Sequence, residues 1–134
     1  MTAKVAPTRP LTGPDGMYPG DSVIDVFGVD AYNSAAPQGI TPAATEFDPV
    51  IAFAKSHNKP WAIGELGSCP VSSDPQGRAT WMKNAISYWK SQNSAPVFVA
   101  YFDLDWPVCD YRIENDAPAA AVWKDAVTKG YSAF

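Results

Sequence analysis

What most constrains this chain is a repeat of short apolar runs, each closing on a carboxylate. Ile24 to Val29 closes on Asp30, Trp61 to Ile63 closes on Gly64 and Glu65, and Val97 to Phe102 closes on Asp103. Runs of this length, entered or left through proline or glycine and rich in β-branched or aromatic residues, predict buried strands. The three carboxylates lie 35 and 38 residues apart. A helical pattern follows each run, so the order is strand–helix three times over, the pattern of a parallel sheet with crossover helices. In such sheets ligands and catalysis gather at the carboxyl ends of the strands, where loops aim side chains into one crevice. Glu65 is therefore either a nucleophile or proton-transfer group, or a surface glutamate that happens to follow a strand.

The helices are legible from spacing. Phe47, Val50, Ile51 and Ala54 recur at i, i+3, i+4 and i+7, one apolar face. Thr45-Glu46-Phe47-Asp48 has the form of a capping start, and Asn58 with Lys59-Pro60 marks the stop. Asp74-Pro75 predicts the cap of a second helix, in which Trp81, Met82, Ala85, Ile86 and Trp89 read as packing against the sheet. Asn93 to Pro96 break it. A last helix is expected near Asp116 to Lys129, with Val122, Trp123, Ala126 and Val127 inward. Residues 1–20, punctuated by Pro10, Gly13-Pro14-Asp15-Gly16 and Pro19-Gly20, read as a loop. Such an opening suggests a chain that begins in the middle of a fold. Residues 21–134 then form three βα units of a single domain.

Composition removes whole classes of function. The 134 residues are 46% hydrophobic and 18% charged, which excludes a disordered chain. With a net charge of −4 and no basic run, neither nucleic acid nor a membrane surface is an expected partner. No stretch approaches the ~20 apolar residues of a membrane span, and the first residues lack the apolar core of a signal peptide. His57 has no neighbours at ligand spacing, so no metal site is expected. The glycines at 13 and 16 neither follow a strand nor open a helix, so no phosphate loop is expected either. No cofactor is implied. The five Trp, six Tyr and six Phe suit an aromatic core or stacking against sugar rings.

Three segments together resemble a known family. Tyr18-Pro-Gly-Asp21 followed by Val23 to Asn33, then Lys59 to Ser68 around Glu65, and Val99 to Asp103 are similar to segments of glycoside hydrolase family 26, the β-mannanases and relatives of clan A. The resemblance covers most of the chain. It implies a (β/α)₈ TIM barrel of which this chain supplies strands six to eight with their helices. The spacing agrees with roughly 31 residues per βα unit of such a barrel. By the same resemblance Glu65 is the nucleophile of a retaining hydrolase of β-linked polysaccharide, and Tyr32 stands beside it. Asp30, Tyr101, Asp103 and Trp106 become candidate substrate contacts.

Retaining hydrolysis uses two carboxyls about 5–5.5 Å apart, one attacking the anomeric carbon and one protonating the leaving oxygen. The family takes the second from strand four, which this chain lacks. Glu46 opens a helix, Glu114 lies in a late loop, and Asp103 and Asp105 follow the wrong strand to replace it. The expected partner is then the missing N-terminal half of the barrel, besides a polysaccharide or oligosaccharide. In that barrel Cys69 and Cys109 would follow adjacent strands, which makes them a candidate disulfide. A bridge would argue for secretion. Two other readings stay open: a non-catalytic or vestigial carbohydrate-contacting domain, and an independent α/β domain with no link to sugars.

Overall fold

A computed structural model describes residues 18–93 and 95–129. The elements run β1 (Phe27–Tyr32), α1 (Ala43–Ser56), β2 (Trp61–Gly67), α2 (Gly77–Ser91), β3 (Val99–Tyr101), β4 (Asp105–Trp106), β5 (Cys109–Asp110) and α3 (Ala117–Thr128), with a 3₁₀ turn at Ile113–Asn115 before α3. The alternation of strand and helix read from the sequence is present. Strands β1, β2 and β3 form a parallel sheet in that order. Residues 18–20 are coil, and the remainder of the loop expected at 1–20 lies outside the described residues.

The TIM-barrel expectation is corrected here. Among the described residues, the parallel sheet has three strands, with β1 and β3 as its edges. The chain then leaves the parallel pattern for a separate antiparallel ribbon of β4 and β5. The described residues hold three helices and a mixed set of strands; they are not part of a barrel. The misreading has a physical cause. A strand–helix–strand crossover needs a similar length whether the sheet it feeds is open or closed, so a repeat of 35–38 residues carries no information about closure.

Alternation along the strands decides what each side of the sheet does. Val29 and Ala31 of β1, and Trp61, Ile63 and Leu66 of β2, belong to one buried cluster with Phe47 and Ala54 of α1, Trp81, Met82, Ala85 and Trp89 of α2, and Ala119 and Ala126 of α3. Val99 and Tyr101 of β3 pack against it. The helices thus cover one face. Of the alternate residues, Ala62 is buried, whereas Gly28, Asp30, Tyr32, Glu65, Ala100 and Phe102 are exposed or half-buried.

In its pairing with each neighbour, strand β2 carries one extra residue. Val29 pairs with Ile63 but Asp30 with Glu65, and Ile63 pairs with Val99 but Leu66 with Tyr101. On the β1 side the extra residue is Gly64, a bulge. A Cβ there would lie 3.0 Å from Asp30 Oδ1, so glycine leaves room for that carboxyl against the strand.

The face of α2 foreseen from spacing is buried throughout: Trp81, Met82, Ala85, Ile86 and Trp89. Other details shift. Helix α1 starts at Ala43, with Pro42 as its N-cap and no side-chain cap, so Thr45 lies inside the first turn. Asp74 Oδ1 accepts from Gln76 N at 2.8 Å, three residues ahead of α2, and turns the chain into the helix rather than capping it. Asp116 does cap α3, accepting from Ala119 N at 3.0 Å. Ala119 and Ala126 form the buried face of α3, and Val127, one residue past it, is 49% exposed.

Candidate active site

The uncovered face carries the candidate site at the carboxyl ends of the strands. Register places Asp30 opposite Glu65 and Tyr32 opposite Gly67. Tyr32 Oη donates to Glu65 Oε2 at 2.5 Å. Burial, then the hydrogen bond to Glu65 and its negative charge, push the Tyr32 phenol far above its usual range. The proton therefore stays on the phenol, and Tyr32 acts as a fixed donor to the carboxylate. Burial first, and the charge of Glu65 second, raise the Asp30 carboxyl above its ordinary value. Like charges on adjacent strands disfavour ionising both.

Aromatic rings wall this pair. Tyr32 meets Phe102 edge-on at 5.9 Å and Tyr111 at 5.5 Å between centroids. Phe102 and Tyr111 meet each other at 5.4 Å, and Phe102 meets Trp106 at 6.1 Å. Phe102 N donates to Leu66 O at 2.9 Å, which fixes this residue beside the end of β2. Trp106 is 43% exposed, so part of its ring stays available to a ligand.

The loops after β1 and β2 are fastened to one another. Asn33, 5% exposed, donates through Nδ2 to Gly39 O at 3.0 Å and Ser68 Oγ at 3.1 Å, while its Oδ1 accepts from Thr41 N at 2.9 Å. Beyond Ser68, Cys69 is bonded to Cys109, with an S–S distance of 2.04 Å across 40 residues of sequence. The bridge ties the loop after β2 to the β4–β5 ribbon.

Of the residues singled out in the sequence, Asp30, Tyr32 and Glu65 come together, and Trp106 joins through Phe102. Tyr101 and Asp103 do not. Tyr101 turns to the helix-covered side against Trp123 at 5.5 Å and donates to Tyr111 O at 2.9 Å. Burial pushes its phenol up to about 12. Asp103 Oδ1 accepts from Ile113 N at 2.8 Å and so braces the 3₁₀ turn. Phe102 and Tyr111 are the residues that sequence reasoning passed over. Alternation marks Phe102 as facing opposite to Tyr101, and Tyr111, two residues past Cys109, follows wherever the bridge takes it.

Among the described residues, no group of three or more His, Cys, Asp or Glu is placed to hold a metal ion. No helix among them is long and apolar enough to cross a membrane.

No family profile matches the sequence. Over 121 residues the chain is 27% identical to endoglucanase H of Acetivibrio thermocellus. The aligned region takes in 87% of this chain and 13% of that protein, so the chain spans a small part of its relative. The similarity supports a relationship with a glycoside hydrolase.

Proposed function

We propose that this chain carries the nucleophile side of a retaining glycoside hydrolase acting on a β-linked polysaccharide, family 26-like in its motifs, with Glu65 as nucleophile. The observation that carries the reading is the Tyr32–Glu65 hydrogen bond at 2.5 Å, formed at the carboxyl ends of two parallel strands. Glu65 would attack the anomeric carbon and form a covalent glycosyl ester as the leaving oxygen takes a proton from a general acid. Water would then attack the ester, giving up its proton to that same group, and free Glu65. Tyr32, held as a donor, keeps the carboxylate aimed and yields its hydrogen bond as negative charge leaves Glu65. Phe102 and the open ring of Trp106 offer apolar surface to a sugar face. The similarity to an endoglucanase favours a polysaccharide substrate. The bridge between Cys69 and Cys109 favours an oxidising compartment, and hence secretion.

The second reading is a carbohydrate-contacting domain without turnover. What favours it is that several carboxyls outside the Asp30–Glu65 pair are engaged: Glu46 accepts from Ser34, Asp103 from Ile113, and Asp110 from Arg112 and Asn115. Glu65→Ala in the intact gene product separates the two. A retaining hydrolase loses turnover by at least about 10³-fold, as losing a nucleophile removes the covalent route. Azide then restores cleavage of an activated aryl glycoside, occupying the vacated space and leaving a glycosyl azide of inverted configuration. Full activity in Glu65→Ala defeats the nucleophile assignment. Sugar binding by a wild-type protein with no hydrolysis supports the second reading.

A further inference from the structure

The close approach at Gly67 gives Tyr111 a part beyond that of a wall. A Cβ on Gly67 would lie 2.9 Å from Tyr32 Cε1, 3.0 Å from Tyr111 Cδ1 and 3.1 Å from Tyr32 Cδ1. Two tyrosine rings, from opposite sides of the site, therefore share the space that the missing side chain leaves over the end of β2. They cross at 71° with centroids 5.5 Å apart, and Phe102 closes the third side at 76° to Tyr32 and 81° to Tyr111. Edge-to-face rings at these separations attract one another beyond their buried area.

Tyr111 is itself fixed. Its N–H donates to Leu104 O at 2.9 Å, its carbonyl accepts from Tyr101 Oη at 2.9 Å, and Cys109, two residues earlier, is bonded to Cys69, two residues after Gly67. The covalent link returns the ribbon to the strand whose glycine the rings cover. The ring of Tyr32, by contrast, hangs from the last residue of β1. Without Tyr111 it loses one of the two rings packed against it, and rotation about its side-chain bonds would carry Oη off Glu65.

We propose that Tyr111 is a positioning residue: its ring, anchored by the Cys69–Cys109 bridge, pins the Tyr32 ring over Gly67 and so holds the Tyr32 hydroxyl on Glu65. The ring acts, not its hydroxyl. For catalysis the proposal rests on the reading of Glu65 as nucleophile, whereas the placement of Tyr32 stands without it.

The test reads the Tyr32 hydrogen bond directly, by NMR of full-length protein labelled at tyrosine Cζ. The Tyr32 signal is assigned by its loss in Tyr32→Phe, and Glu65→Ala supplies the shift of Tyr32 with no acceptor. Tyr111→Ala is expected to move the Tyr32 signal at least half of the way from its wild-type position to its position in Glu65→Ala. Tyr111→Phe, which keeps the ring, leaves it at the wild-type position. Gly67→Ala, which retains Tyr111 but fills the shared space, displaces it as well, and gives a reading if Tyr111→Ala does not fold. On a β-linked substrate, Tyr111→Ala lowers kcat by about 10- to 100-fold with KM little changed, the cost of a misplaced catalytic group. An unmoved Tyr32 signal in Tyr111→Ala or Gly67→Ala overturns the proposal, as does a wild-type signal already at the Glu65→Ala position. A wild-type protein with the expected shifts but no hydrolysis instead overturns the glycosidase reading and leaves the positioning role standing.

Discussion

On the helix-covered side of the sheet, Ala31, Trp61, Ile63 and Leu66 are each no more than 1% exposed. On the other side the same strands hold Asp30, Tyr32 and Glu65, joined by Phe102 just past β3, all exposed or half-buried. The first side contains no carboxylate from the strands; the second gathers two within one register pair, with a phenol donating to one of them. Parallel sheets ordinarily bury both faces. The difference teaches that this small domain concentrates its stability in one layer and its chemistry in the other. Changes on one side should be read mainly in unfolding, and changes on the other mainly in protonation and ligand contact.

The largest expected effect lies in the covered layer. Trp81, 1% exposed, belongs to the buried cluster under the sheet, so Trp81→Ala should lower unfolding free energy by about 3–5 kcal/mol, measured by denaturant titration. A cost below about 1 kcal/mol would break the division between layers. Next comes the bridge that joins the open side to the ribbon. Replacing Cys69 and Cys109 together by serine should cost about 2–4 kcal/mol, the range expected for opening a loop of this size. The same measurement under reducing conditions should bring the wild-type protein to the variant's stability.

The smallest effect sharpens the contrast by its sign. The Asp30 carboxyl is held above its ordinary value by burial and by Glu65, so the folded protein binds that proton more tightly than the unfolded chain. Its contribution to stability is fully present at low pH and is lost as pH rises through the folded-state value. Asp30→Asn should therefore raise Tm relative to wild type near pH 7, and the gain should shrink toward pH 3. Calorimetry at the two values checks it. A gain that grows as pH falls would reverse the assignment.

Much of this was legible in the sequence, because two simple periods carried it. Helical spacing found the buried face of α2, and the carboxylate at the end of each apolar run located Asp30 and Glu65. The overall architecture was not legible, since a crossover's length is nearly the same for an open sheet as for a closed one. Nor did the sequence assign Tyr101 and Asp103 to their places. A residue at the end of a strand can face either layer, and only pairing showed that Tyr101 turns toward Trp123 while Phe102 turns toward Tyr32. Tyr111 lay in a loop without periodicity, and its position follows from a covalent bond rather than from any local pattern.

The bulge at Gly64 has a consequence for which changes of length β2 can absorb. Before it, the odd-numbered Trp61 and Ile63 serve the core; after it, the even-numbered Leu66 does, and the odd-numbered Glu65 is released to the open side. One added residue switches the parity of the strand, so that a single segment is a wall in its first half and a workbench in its second. Were Gly64 kept but the bulge ironed out, strict alternation would turn Glu65 into the apolar layer and Leu66 out of it, whereas deleting Gly64 itself would leave Ile63, Glu65 and Leu66 on their present faces. A residue can therefore be given up at the bulge, but one added or lost elsewhere along β2 exchanges the faces.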